Sequence, residues 1–247
     1  MKHESSFKIS TLADNLVYKR GLQAEHGLSF YIQINDINFL FDTGQSSLFY
    51  ENAVNMGIDL AKVSHIVISH GHYDHTGGLG TILAKNSSAQ LYIKRLALQP
   101  QFRGSDNIGI PADIVIPENR TVFAEEGITE ITENLFLFSF SSTDEQYLIY
   151  RENQSLTLIT GCSHQGVENI IESTEKAFNG KITHLFGGFH TSRHTREQLS
   201  RLATFINRSN LVNIGTNHCT GTESFSFLKG SVAKNIFYFG TGCTFFN

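Results

Sequence analysis

Cysteine, proline and net charge are all scarce in this chain, and each scarcity narrows what the protein can be. The three cysteines, Cys162, Cys219 and Cys243, are odd in number and widely spaced. That argues against a disulfide framework and for a reducing cytoplasm. With only three prolines and no low-complexity run, nothing reads as a linker, so a single domain spanning residues 1–247 is expected. The formal net charge is −4 and no block of Lys or Arg occurs, which argues against a nucleic-acid partner. No apolar run reaches the length of a membrane span. The N-terminal Met1-Lys2-His3-Glu4 begins with charge but lacks the apolar stretch that makes a signal peptide. What these exclusions leave is a small-molecule enzyme or binding protein, monomeric or homodimeric.

Several runs read as strands. Leu28–Ile34 and Asn38–Phe41 are joined by a hairpin turn at Asn35-Asp36, and Val63–Ser69, Gln90–Ile93 and Thr121–Phe123 follow. Later strands are expected at Leu135–Phe140, Gln146–Tyr150, Ser155–Thr160, His184–Phe186, Leu211–Ile214 and Ile236–Phe239. Helices are expected from Ser46 or Ser47 to Met56, after Gly77-Gly78 to Lys85, and over Val167–Phe178. Thr195–Ser209 is amphipathic, with Leu199, Leu202 and Phe205/Ile206 on one face. All three prolines fall in an irregular segment at about residues 94–120, long enough to be a functional loop or a surface insertion. The recurring unit is strand, glycine-containing turn with polar residues, then helix. That pattern makes a layered α/β fold with its chemistry at strand ends.

His70-Gly-His72-Tyr-Asp74-His75 is the densest chemistry in the chain. Three imidazoles and a carboxylate within six residues would repel one another once protonated, whereas a cation would hold them together. Imidazole nitrogen and carboxylate oxygen suit zinc, with manganese or iron as alternatives. Adjacent Asp74 and His75 point in different directions, so the cluster fits two metals better than one. Strand-end turns also carry Asp42, Cys162-Ser163-His164, His190 and His218. His190 follows Gly187-Gly188 and is a candidate for substrate contact, acid catalysis or an extra ligand. A thiolate beside zinc could bind it, Cys162 above all, although a lone cysteine is more often a small buried apolar residue.

Phe41-Asp42-Thr43-Gly44 followed by Ser69-His70-Gly-His72-Tyr-Asp74-His75-Thr-Gly-Gly resembles the metallo-β-lactamase superfamily. Ala24-Glu-His-Gly-Leu-Ser29, Thr160-Gly-Cys-Ser-His164, Gly187-Gly-Phe-His190 and His218-Cys-Thr-Gly221 resemble one branch of it, the archaeal dihydropterin-ribofuranosylaminobenzene-phosphate synthase-like proteins. The resemblance implies an αββα sandwich, two mixed sheets with helices outside. It implies one metal on His70, His72 and His164 and a second on Asp74, His75 and His218. Asp42 is then expected to accept the free N–H of a ligand histidine. The chain departs from the broader pattern at Thr160-Gly161-Cys162, where many members carry a metal-bridging Asp.

On this resemblance the expected activity is a hydrolase in which a metal-bound hydroxide attacks a small, anionic phosphate- or ester-bearing substrate. Asp74 and His190 would be its catalytic residues, and His190, Ser163 and Cys162 its contacts to the anion. Lys94, Arg95 and Arg103 are further candidates for positive charge. Two other readings stay open: alkyl transfer from a dihydropterin diphosphate to an aromatic amine on the same metals, and a non-catalytic metal- or ligand-binding sensor.

Overall fold

The computed structural model describes residues 6–247, so the reading of the charged N-terminal residues lies outside it. The strands in chain order are β1 (Phe7–Ala13), β2 (Ser29–Ile34), β3 (Ile37–Phe41), β4 (His65–Val67), β5 (Gln90–Ile93), β6 (Phe102–Arg103), β7 (Asp106–Asn107) and β8 (Thr121–Phe123). They continue as β9 (Gly127–Thr132), β10 (Leu135–Ser139), β11 (Tyr147–Glu152), β12 (Ser155–Ile159), β13 (Lys181–Gly188), β14 (Asn213–Asn217), β15 (Asn235–Tyr238) and β16 (Thr244–Phe246). The helices are α1 (Leu48–Asn55), α2 (Tyr73–Thr76), α3 (Leu79–Lys85), α4 (Val167–Phe178), α5 (Arg196–Arg208) and α6 (Thr222–Ser231). The protein is mixed α/β, with two large mixed sheets flanked by helices. No helix among the described residues is long and apolar enough to cross a membrane.

The chain forms two compact units. The first runs to Glu125 and also takes in Ser142–Gln146 and Gly240–Asn247. Its seven-stranded sheet has the order β16-β1-β2-β3-β4-β5-β8. The β16-to-β3 half is antiparallel, and from β3 onward the strands run parallel. Leu40, Phe49, Ile66, Ile82, Leu91 and Ile93 are fully buried in its core. The second unit, Glu126–Ser141 with Tyr147–Phe239, has the order β15-β14-β13-β12-β11-β10-β9. Its β9-to-β12 half is antiparallel, and β12 to β15 are parallel. Here α5 buries Leu199, Leu202, Ala203 and Ile206, and a capping box between Thr195 and Gln198 fixes its start. Parallel strands all deliver their C-terminal ends to one edge, where open α/β sheets place their chemistry.

Several elements escape the sequence pattern. Strands β1 and β16 are made strands by pairing with partners distant in the chain, and β9, with Thr and Glu among its residues, by pairing with β10 across a two-residue turn. Helix α6 carries Ser, Phe and Gly at positions that blur its face. Strand β13 runs past the expected Phe186 through Gly187-Gly188, because both glycines pair in register with Thr216 and Asn217 of β14. The expected strand at Leu211–Ile214 lies two to three residues further on, as β14. The segment at 94–120 is not wholly irregular: β6 and β7 form a small hairpin in it.

Two histidines outside the metal cluster make stability depend on pH. His65 stacks on Phe39 at 4.8 Å between ring centroids, and His184 Nδ1 lies 3.2 Å from Asn213 Nδ2. Burial lowers both pKa values from the ordinary 6.5. Below that value the unfolded chain takes up protons that the folded chain refuses. Their contribution is therefore complete above it and shrinks as pH falls towards the folded values. The melting temperature of metal-free protein should fall on acidification from about pH 7.5 to about pH 5, and less steeply in a His65→Gln/His184→Gln variant. A double variant that loses stability as steeply as the parent would rule these two histidines out.

Candidate metal centre

In the first unit, Asp42 follows β3, Ser69 and His70 follow β4, and the single turn of α2 carries Asp74 and His75. Asp42 is completely buried and its carboxylate organises the group. Oδ1 accepts the Ser69 backbone N–H at 2.7 Å, and Oδ2 accepts the Ser69 hydroxyl at 2.6 Å and His75 Nδ1–H at 2.7 Å. The Ser69 hydroxyl proton is thus committed to Asp42, and its oxygen accepts from His70 Nδ1–H at 2.9 Å. One carboxylate therefore sets the tautomers of two imidazoles, one directly and one through a serine. Both then present Nε2 as a lone pair. The N-cap of α1 is Ser47, so Asp42 has no capping role.

His72 is half-buried, and its Nδ1 lies 3.0 Å from His70 Nε2. Two imidazole nitrogens on a tetrahedral zinc are separated by roughly 3.3 Å. The observed approach of a lone pair to a second ring nitrogen is therefore close to what a shared cation requires, and the residues fit a divalent ion. Asp74 Oδ2 lies 3.1 Å from His26 Nε2. His26 Nδ1 faces the Asn15 amide nitrogen at 3.4 Å, so Nε2 carries the proton given to Asp74. This role of His26 is not readable locally: its partner lies far along the chain, and only the Glu-His-Gly-Leu-Ser motif marks it.

The segment at 94–120 closes over this turn within the same unit. Tyr73 N–H donates to the Ile108 carbonyl at 2.9 Å, while Gln101 Nε2 at 2.7 Å and Gly71 N–H at 3.3 Å both donate to Asp144 Oδ2. Lys94 is buried at the end of β5, and Arg95 stacks on the Phe123 ring at 3.8 Å. Arg103 is exposed on the β6–β7 hairpin.

In the second unit, three neighbouring parallel strands end in Cys162-Ser163-His164, His190 and His218-Cys219. The His164 and His190 rings meet edge-on at 4.6 Å. The Ser163 hydroxyl is buried and donates to the Gly188 carbonyl at 2.7 Å, tying the β12 turn to the end of β13. Cys162 is buried, and its carbonyl accepts the Cys219 S–H at 3.4 Å. His190 N–H donates to Cys219 Sγ at 3.3 Å. Burial alone would raise the Cys219 thiol, but its hydrogen bonds with Cys162 and His190 and the charge of His218 outweigh burial and hold it well below the usual thiol range. Cys219 is the residue that sequence reasoning undervalued.

Backbone strain gathers at these same positions. Among the described non-glycine residues with positive φ, Asn35, Asn134 and Asn153 sit in strand turns and Asn179 caps α4, as asparagine commonly does. Asp42 (57°), Ser163 (60°), His190 (53°) and His218 (46°) instead stand at strand ends. Left-handed backbone at such residues concentrates at functional sites.

The profile of the metallo-β-lactamase superfamily matches residues 22–138. An uncharacterized protein of Methanocaldococcus jannaschii, MJ0448, is 26% identical over 261 residues, covering 92% of this chain and 99% of that protein. The 7,8-dihydropterin-6-methyl-4-(β-D-ribofuranosyl)-aminobenzene-5'-phosphate synthase of the same organism is 26% identical over 264 residues, covering 89% of each. Among solved structures, Tm1679, a metal-dependent hydrolase of the β-lactamase superfamily, is similar with a TM-score of 0.82 and 28% identity, covering 97% of this chain and 98% of that one.

Proposed function

Because the chain belongs to the metallo-β-lactamase superfamily, we propose that it is a metal-dependent hydrolase of a small anionic substrate bearing a phosphate or ester group. The observation that carries the reading is the Asp42–Ser69 relay, which turns Nε2 of both His70 and His75 into metal donors. The ligand set is His70, His72, Asp74 and His75 with His164 and His218, and zinc is the preferred ion. The support for His164 and His218 is the sequence resemblance together with their strained strand-end placement. Held by these residues, divalent ions would lower the pKa of water towards neutrality and would offer positive charge to a developing oxygen anion.

The remaining chemistry belongs to the protein. Asp74 orients the attacking water, and His26 holds that carboxylate in place. His190 offers a ring N–H to the substrate anion. The N-terminal turn of α4 follows His164 closely, and its backbone N–H groups can share that charge. The folded segment at 94–120 shields the His70–His75 turn from bulk water.

The test is a panel of phosphodiester, phosphomonoester, lactone and thioester substrates on zinc-, manganese- and iron-loaded protein, run in ¹⁸O-labelled water. Turnover of one class with ¹⁸O in the product is expected. Activity on none would overturn the hydrolase reading in favour of pterin-linked transfer, the reading that the name of the M. jannaschii synthase supports. A transferase would join its substrates without taking oxygen from water.

A further inference from the structure

The second unit brings together two sulfurs that the hydrolase reading does not use and an imidazole of which it uses only one ring nitrogen. Cys162 comes from the turn after β12, His190 from the turn after β13 and Cys219 from the turn after β14. One ligand atom from each lies within 4.8 Å of the other two. The backbone holds this arrangement. The Cys219 sulfur donates to the Cys162 carbonyl and accepts from His190 N–H. The space it fills exists only because residue 188 is glycine: a β-carbon there would lie 2.4 Å from Cys219 Sγ and 2.8 Å from the Gly161 carbonyl. Cys162 is buried, Cys219 partly buried and His190 exposed, so the cluster has a closed floor and an open side.

Two thiolates and an imidazole form the donor set of a zinc site with a fourth position left open, and softer ions favour it further. We propose that Cys162, Cys219 and His190 together hold a thiophilic metal ion, Zn²⁺ or a softer ion of the same geometry. Its Cys162 sulfur also belongs to two other candidate ligand groups, and the site does not rest on the proposed activity. Binding expels the two thiol protons, and the neutral imidazole gives up a lone pair without losing one. Its second ring nitrogen keeps its N–H, so ligation leaves the anion contact of His190 intact.

The test uses the whole chain and Cd²⁺ as the probe, followed through thiolate-to-cadmium charge-transfer absorption. A His70→Ala/His72→Ala variant strips donors from the first unit and should keep the full thiolate band. Cys219→Ser should lose about half of that band and weaken binding by roughly tenfold or more, and Cys243→Ser should change neither. Should Cys219→Ser fail to fold, iodoacetamide footprinting of the unaltered protein decides: Zn²⁺ should protect the partly exposed Cys219 while Cys243 keeps reacting. The proposal is overturned by absence of a thiolate band at saturating Cd²⁺, by a band indifferent to Cys219→Ser, or by unprotected alkylation. A Cys162–Cys219 disulfide that forms under reducing buffer and binds no metal would also overturn it. Failure of the substrate panel with the band intact would count against the hydrolase reading alone.

Discussion

Asp42→Ala should lower metal affinity by about 10- to 100-fold and destabilise the metal-free fold in the same step. The carboxylate is fully buried and accepts three hydrogen bonds, from Ser69 N–H, Ser69 Oγ–H and His75 Nδ1–H. Alanine leaves all three donors without this acceptor. Each buried, unsatisfied donor costs about 1–3 kcal/mol, so a loss of about 3 kcal/mol or more is expected. The His75 ring is then free to change tautomer, and the His70 ring loses the serine that orients it. Asp42→Asn separates the two effects. Its oxygen can still accept from Ser69, but its amide nitrogen would meet His75 Nδ1, push the proton to Nε2 and remove the lone pair meant for the metal. Stability should then largely recover while metal affinity does not. Zinc titration against a competing chelator, with thermal melts of the metal-free proteins, measures both. An Asn variant that binds zinc like the parent would refute the tautomer argument.

A second large effect is expected at Gly187, in stability. Its φ of +129° is open to glycine and little else, and a β-carbon there would sit 2.1 Å from the Thr160 carbonyl oxygen. Thr160 cannot retreat, because its own N–H is bonded to the Phe186 carbonyl at 2.9 Å in the adjacent strand. Gly187→Ala must therefore part the ends of β12 and β13, where His164 and His190 originate. The cost should be about 3 kcal/mol or more, a fall in melting temperature of roughly 6–12 °C. Gly230→Ala is the control, since a β-carbon there meets nothing within 4 Å. A Gly187→Ala protein that melts with the parent would show that the strand ends are not locked as described.

Legibility in the sequence followed the range of the interactions. His70, His72, Asp74 and His75 are neighbours in the chain, so their common purpose is visible without a fold. Helix α5 is equally plain, because its apolar face and capping box lie within one stretch. Strands β1 and β16 are not, since each depends on a distant partner that periodicity cannot reveal. The Asp42 relay was half visible: the carboxylate before a glycine turn stands out, but the serine that extends it to His70 does not. Cys219 was hidden for a different reason. Its setting depends on the missing side chain at Gly188 in another strand, and a missing atom leaves no pattern.

The left-handed residues at strand ends also bear on the history of the chain. Glycine at position 163, 190 or 218 would relax the backbone by about 1 kcal/mol, and asparagine nearly as well. Drift under selection for backbone ease alone therefore runs downhill at His190 and His218, and every such step erases an imidazole. Buried leucines are kept by folding whether or not a protein does anything. Two histidines standing against that slope fit the use proposed for them.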